Sequence, residues 1–153
     1  MAIRSASLND WESICALVDA AYSPYIEIIG QAPAPMLADY QRCIQSQPTF
    51  VIEEENEILG LLVLEVSEKG FYIENVAISP IAQGRGFGKQ LLLFAEAFGV
   101  EQGFSKIELY TNELMSQNIA IYNHYGYQET ARLEEAGFKR VYMSKSLSRS
   151  TQN

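Results

Sequence analysis

The sequence predicts a mixed α/β fold: a mainly antiparallel sheet of about seven strands carrying about four helices. Three β-rich runs between positions 49 and 78 are separated only by short polar segments, as in an antiparallel meander. A strand, a glycine-rich turn, a long apolar helix and another strand then follow in succession, which implies a right-handed parallel crossover. Two last β-rich runs read as a hairpin. With 153 residues, 48% of them apolar, the chain suits one packed domain over 1–147, with 148–153 as a flexible tail.

Taken in order, Ala2 to Ala6 is short enough for an edge strand. Asn9 and Glu12 stand three apart in a capping-box-like arrangement. Trp11, Ile14, Leu17, Val18 and Ala21 then share one helical face, so a helix over about 10–21 is expected. After an aromatic connector, Pro35 opens a stretch in which Met36, Tyr40, Cys43 and Ile44 share a face, a helix ending near Gln45. Thr49 to Glu54 and Ile58 to Val66 flank the polar Glu55-Asn56-Glu57 as a hairpin, and Phe71 to Ile78 extends the meander. Pro80 with Gly84, Gly86 and Gly88 closes that strand and opens a helix over about 87–102, with Gly103 as its stop. Lys106 to Thr111 is the next strand. A helix over about 112–125 ends at Gly126, and Tyr127 to Leu133 with Phe138 to Lys145 form the closing hairpin.

Composition narrows the function classes. Nineteen acidic against eleven basic residues give a net charge of −8, which repels a phosphate backbone and favours cationic partners; no nucleic acid ligand is expected. No apolar run is long enough to span a bilayer, and the N-terminus lacks the pattern of a secretion signal, so no membrane association and a cytoplasmic location are expected. Cys15 and Cys43 form no CxxC pair and there is one histidine, so neither a disulfide nor a metal site is expected.

The segment Gln83-Gly84-Arg85-Gly86-Phe87-Gly88-Lys89 carries the strongest chemical signal. Glycines let a backbone approach a bulky ligand closely, and a helix N-terminus presents unpaired amides with partial positive charge, so a phosphate fits there. Arg85 and Lys89 add fixed charge. A Walker-type loop is excluded because Gln83 and Gln90 stand where it needs Gly and Ser or Thr, and the dinucleotide fingerprint fails at Lys89. The bland alternative is a turn that serves tight strand-to-helix packing.

These letters fit Q/R-x-x-G-x-G/A, preceded by Asn75-Val76-Ala77-Ile78-Ser79-Pro80 and followed by Tyr122-Asn123-His124-Tyr125-Gly126-Tyr127. In that order and spacing they resemble the GNAT superfamily of N-acetyltransferases, from the first strand to the last. The resemblance implies a GNAT-type sheet whose central parallel pair splays apart to hold acetyl-coenzyme A as co-substrate. It implies that the backbone of Val76, Ala77 and Ile78 holds the pantetheine arm, and that Gln83 through Lys89 hold the pyrophosphate. Asn118, one turn before Tyr122, is a further cofactor contact, although many members carry Asn where this chain has Met115.

By the same resemblance Tyr122 is the general acid that protonates the departing thiolate, a role that a phenol of pKa ~10 suits. Glu74 is the candidate base, because it alternates with Tyr72 and Val76 and would lie on the cleft side; an exposed or substrate-positioning carboxylate is the alternative. His124, two residues past Tyr122, is expected to face solvent. The acceptor, a small-molecule or peptide primary amine of cationic character, is expected against Tyr22, Tyr25, Glu27, Met36 and Tyr40, with Tyr110 and Glu108 on the neighbouring strand. A homodimer through the last hairpin is a further expectation. The competing reading is a non-catalytic acyl-coenzyme A sensor or partner module.

Overall fold

A strand that is apolar at every position has to be covered on both faces, and Leu61-Leu62-Val63-Leu64 is such a run. In the computed structural model, which describes residues 2–148, this run lies inside a seven-stranded sheet of order β1-β2-β3-β4-β5-β7-β6. The strands are β1 (Ala2–Ser5), β2 (Thr49–Glu54), β3 (Glu57–Ser67), β4 (Gly70–Ile78), β5 (Lys106–Asn112), β6 (Gln128–Glu135) and β7 (Phe138–Ser146). Every neighbouring pair is antiparallel except β4 and β5, which are parallel. The expected tail lies, beyond Ser148, outside the described residues.

Two cores flank the sheet. Leu62 and Leu64 point to one, shared with Phe87, Leu91, Leu92 and Ala95 of α4 (Phe87–Glu101). Leu61 and Val63 point to the other, shared with Ile14, Leu17, Val18 and Tyr22 of α1 (Trp11–Tyr22) and with Tyr40 and Cys43 of α3 (Tyr40–Ser46). The hairpin turns are tight: Glu55 and Asn56 take positive φ of 52° and 65°, and Ala136 and Gly137 take 52° and 82°. Two consecutive left-handed residues match the twist of the strands they join. Gly103, at φ 87°, ends α4 as expected.

Among the described residues there are five α-helices where about four were expected. Pro24 starts an additional one, α2 (Pro24–Ile29), inside the aromatic connector, and Gly30 at φ 87° ends it. The helix expected from Pro35 is divided into a 3-10 turn at Ala34–Leu37 and α3, because Ala38 is extended and Asp39 caps the new start by accepting from the Arg42 amide at 3.1 Å. The capping box lies at Ser7 and Asp10 rather than Asn9 and Glu12, closing a 3-10 turn ahead of α1. The last helix, α5 (Ser116–His124), starts later than expected, since Asn112 belongs to β5 and its Oδ1 accepts from the Leu114 amide at 2.9 Å.

The feature that positions the site is the short contact between β4 and β5. They pair only at Tyr72 with Glu108 and Ile73 with Leu109. Immediately beyond, the β3–β4 register slips: Leu64 pairs with Ile73 but Val63 with Asn75, leaving Glu74 as an extra residue on β4. Such a bulge bends its strand and raises the local twist. From there to Ile78, β4 runs free of β5 and a gap opens in the sheet.

Candidate active site

The bulge sets which β4 groups face the gap. Ser79 N donates to Leu59 O at 2.9 Å, and hydrogen-bonded pairs alternate in an antiparallel ladder. Ala77 is therefore bonded to Leu61, whereas Val76 and Ile78 turn their main-chain groups away from β3 and toward the gap. An extended arm lying in the gap meets a strand edge that β5 leaves unpaired, its Val76 carbonyl accepting from the Tyr22 hydroxyl. The bulge also breaks the alternation expected of Glu74 with Val76: Val76 and Ile78 pack on the α4 side, while Glu74 reaches the α3 side, accepting from Gln47 Nε2 at 3.1 Å and from the Cys43 thiol.

At the far end of the gap the glycine loop meets α4. Gly84 and Gly86 have φ of 82° and 84°, a conformation that favours glycine, and Gly86 occupies the N-cap of α4. No atom lies within 4 Å of a Cβ built at Gly84, Gly86 or Gly88, so the loop is open to a ligand. Gln83, Gly84, Gly86, Phe87, Gly88 and Lys89 line a cleft of about 600 Å³, together with Val76, Ala77 and Ile78 and with Asn118 and Tyr122 of α5. Arg85 is the exception. Its guanidinium is turned out of the cleft, 2.9 Å from both oxygens of Glu54 and 4.8 Å from the Phe87 ring. The acidic β2–β3 turn captures it in an exposed pair of the kind worth at most ~1 kcal/mol.

A second, smaller cavity of about 160 Å³ opens on the other side of the gap. It is lined by Tyr22, Tyr40, Glu74, Asn75, Tyr110, Thr111, Phe138 and Arg140 among others. Tyr22, Val76, Met115, Asn118 and Tyr122 line both cavities, so the two meet at these side chains. Tyr122 packs edge-on against Tyr127, with ring centroids 5.8 Å apart. Its hydroxyl makes no hydrogen bond among the described residues, and burial pushes the phenol up to about 12. It holds its proton throughout the physiological range.

A buried hydrogen-bond chain shapes the wall between the cavities. Tyr22 Oη donates to Asn75 Oδ1 at 2.6 Å and lies 3.1 Å from the Val76 carbonyl. Asn75 Nδ2 donates to Tyr40 Oη at 2.9 Å, and Tyr40 Oη donates to the Pro35 carbonyl at 2.6 Å. The chain ties α1, β4, α3 and the connector together, and every donor in it has a partner. Burial raises the pKa of both tyrosines. Beside them, burial and then the Glu74 charge push the Cys43 thiol up to about 11, leaving it protonated and inert.

The acceptor candidates divide. Tyr22, Tyr40 and Tyr110 line the smaller cavity; Tyr25 lines the larger cleft instead. Glu27 and Met36 line neither, since Glu27 is exposed on α2 and Met36 packs into the core beneath α1. Glu108 turns away as well, toward Lys106 at 3.7 Å. His124 is exposed, as expected, yet sits on the rim of the larger cleft. Asn75, Thr111 and Arg140 were not anticipated. A signal for Arg140 existed: it alternates with Phe138 and Tyr142, which places all three on one face of β7.

Comparison with known proteins agrees with this geometry. The model of the acetyltransferase (GNAT) family matches residues 11–127. An uncharacterized N-acetyltransferase of Escherichia coli, YjgM, is 30% identical over 92 residues, covering 56% of this chain and 55% of the relative, so the match spans about half that protein's length. Among solved structures, the Paia N-acetyltransferase of Thermoplasma acidophilum, in complex with coenzyme A, superposes with a TM-score of 0.73 at 19% identity, covering 95% and 98% of the two chains. A ribosomal-protein-alanine N-acetyltransferase of Brucella melitensis gives 0.71 at 19% identity, covering 96% and 100%. At such identities the structural likeness speaks for the fold alone. With most of its length matched by the family model, its sheet splayed after Ile73 and its glycine loop at the head of α4, the chain belongs to the GNAT acetyltransferase family.

Proposed function

We propose that the protein transfers the acetyl group of acetyl-coenzyme A to a primary amine by direct attack, with Tyr122 as general acid. The observation that carries this reading is the position of Tyr122: it lines both cavities, and its protonated hydroxyl makes no hydrogen bond among the described residues. The larger cleft suits the co-substrate. Its loop offers the unpaired amides of the α4 N-terminus and the ammonium of Lys89 to a pyrophosphate, and the edge that β5 leaves unpaired at Val76 and Ile78 suits the amide-bearing arm. When bound there, acetyl-coenzyme A supplies an activated thioester.

The residues then divide the work. The smaller cavity orients the amine, and its proton passes to Glu74, directly or through water, or else to solvent while Glu74 positions the amine. As the new N–C bond forms and the C–S bond breaks, Tyr122 Oη gives its proton to the departing sulfur. Main-chain amides of β4 polarise the carbonyl oxygen. A phenol near 12 is a weaker acid than the unperturbed ~10 by about 3 kcal/mol, so proton transfer to the sulfur is driven by the charge that develops there.

The test is thiol release from acetyl-coenzyme A across a panel of amines, with Tyr122→Phe run beside the wild type. Amine-dependent release that falls about 100-fold or more in the variant, with co-substrate binding retained, supports the reading. Full turnover by the variant removes Tyr122 from the mechanism. Binding without release for every amine points to a non-catalytic acyl-coenzyme A module.

A further inference from the structure

Among the described residues, Arg140 is the only cationic side chain lining the smaller cavity, and nothing in the acetyl transfer described above requires it. It sits on β7 opposite Asn112 of β5, with its side chain 15% exposed. The guanidinium leans back toward β5, 4.3 Å from the centroid of the Tyr110 ring. Its one carboxylate neighbour, Glu135, stands at 3.7 Å, beyond hydrogen-bond range, and is already held by the Tyr142 hydroxyl. The Tyr142 hydroxyl is the other polar neighbour of Arg140 and engages one side of its fork. Five donors in a rigid fork match a carboxylate, and those not turned to Tyr142 remain for a ligand in the cavity.

Glu74 provides the opposite pole. Ile73 lies level with Leu109, which brings Glu74 near the level of Tyr110, the ring on which Arg140 rests. A carboxylate on β4 and a guanidinium stacked over a β5 ring thus line one cavity. At about 160 Å³ against about 600 Å³ for the cleft, it suits a compact acceptor. Gln31 Nε2 donates to the Gly137 carbonyl at 3.3 Å, joining the segment after α2 to the β6–β7 turn.

We propose that the acceptor is a small aminocarboxylate of the amino-acid type, with its carboxylate held by Arg140 and its amine on the Glu74 side, toward Tyr122. This rests on the acetyltransferase reading and narrows its substrate class. The carboxylate is unchanged in the reaction, so Arg140 acts as a specificity-determining residue.

The test uses matched acceptors that differ only in the carboxylate: amino acids, their carboxamides and their decarboxylated amines, compared at equal free-amine concentration. The wild type should favour the carboxylate form by about 10- to 100-fold in kcat/KM, mainly through KM. Arg140→Met should collapse that ratio toward one, and Arg140→Lys, which keeps charge without the fork, should fall between. A second arm needs no turnover: N-acetylated amino acids and their carboxamides are titrated calorimetrically into the coenzyme A-loaded protein and its two variants. Equal preference for both acceptor forms, or carboxylate binding indifferent to Arg140, overturns the inference. Absence of turnover with every amine refutes the transferase reading instead, and the calorimetric arm still decides whether Arg140 holds a carboxylate.

Discussion

Glu96 on α4 is 3% exposed, and its carboxylate accepts from Lys145 Nζ of β7 at 2.9 Å and from Tyr127 Oη at 3.0 Å. At 2.9 Å and an effective dielectric constant of about 20, the pair's Coulomb energy is ~6 kcal/mol, much of it offset by desolvation. Lys145→Met keeps an apolar stem against Gly126 and removes the one cation, leaving a buried carboxylate with a single hydroxyl donor. Breaking a buried pair in this way costs ~3–5 kcal/mol, a large part of the ~5–15 kcal/mol that holds such a domain together. Urea unfolding at neutral pH reads it directly, as a lower midpoint at unchanged slope. Glu96→Gln in the same background should recover part of the loss, because glutamine is neutral and its carbonyl still accepts from Tyr127. A cost below ~1 kcal/mol for Lys145→Met, or no recovery in the double variant, would refute the view that this pair anchors Tyr127, and through it Tyr122, to the sheet.

Further expectations concern the core and the alkaline limb. Tyr22, Tyr40, Tyr122 and Tyr127 all have pKa values raised by burial, so the folded chain holds these protons more tightly than the unfolded chain does. Their contribution is intact below the unfolded value of ~10 and is lost as the pH rises through the folded values; a stability that stays flat well above pH ~10, with tyrosinate absorbance rising in the folded state, would contradict this. Gly99→Ala gains ~1 kcal/mol of helix propensity, but its Cβ would stand 2.5 Å from Phe71 Cε2 and 2.9 Å from Leu147 Cδ1. Phe71 is clamped by stacking on Phe98 and Phe104, so thermal unfolding should show a net loss of about 1–2 kcal/mol rather than a gain. Asn75→Leu strips Tyr40 Oη of its donor and Tyr22 Oη of its shorter bond; about 2 kcal/mol of destabilisation and a raised acceptor KM are expected, and an unchanged KM would separate the chain from the cavity.

The order of strands and helices was legible because it depends on local periodicity. Leu61 to Leu64 reads as a doubly buried strand, the glycine cluster as a strand-to-helix turn, and Gly103 as a stop, each from neighbours within a few positions. Errors arose where short-range competitors acted: Asp39 capping α3, the Asn112 side chain turning the chain before α5, and Pro24 nucleating a helix in an aromatic connector. Family motifs pointed to the residues from Gln83 to Lys89 and to Tyr122, which, Arg85 apart, line the larger cleft, since that recognition depends on contiguous letters.

The acceptor side depends on tertiary structure. One extra residue at Glu74 reverses the facing of everything after it on β4, and an alternation pattern cannot register an insertion whose partner lies on another strand. Arg85 carries the right charge beside the right loop, yet Glu54, distant in sequence, draws it away. Arg140 reaches the cavity because β7 pairs with β5 and Tyr110 supplies a ring to lie on, a contact between residues 30 positions apart. The sequence by itself determined the fold, the family and the glycine loop, because these follow from periodicity and neighbouring letters. The tertiary structure decided which side chains share a cavity, because that depends on strand register and on charges that meet only when the sheet is assembled.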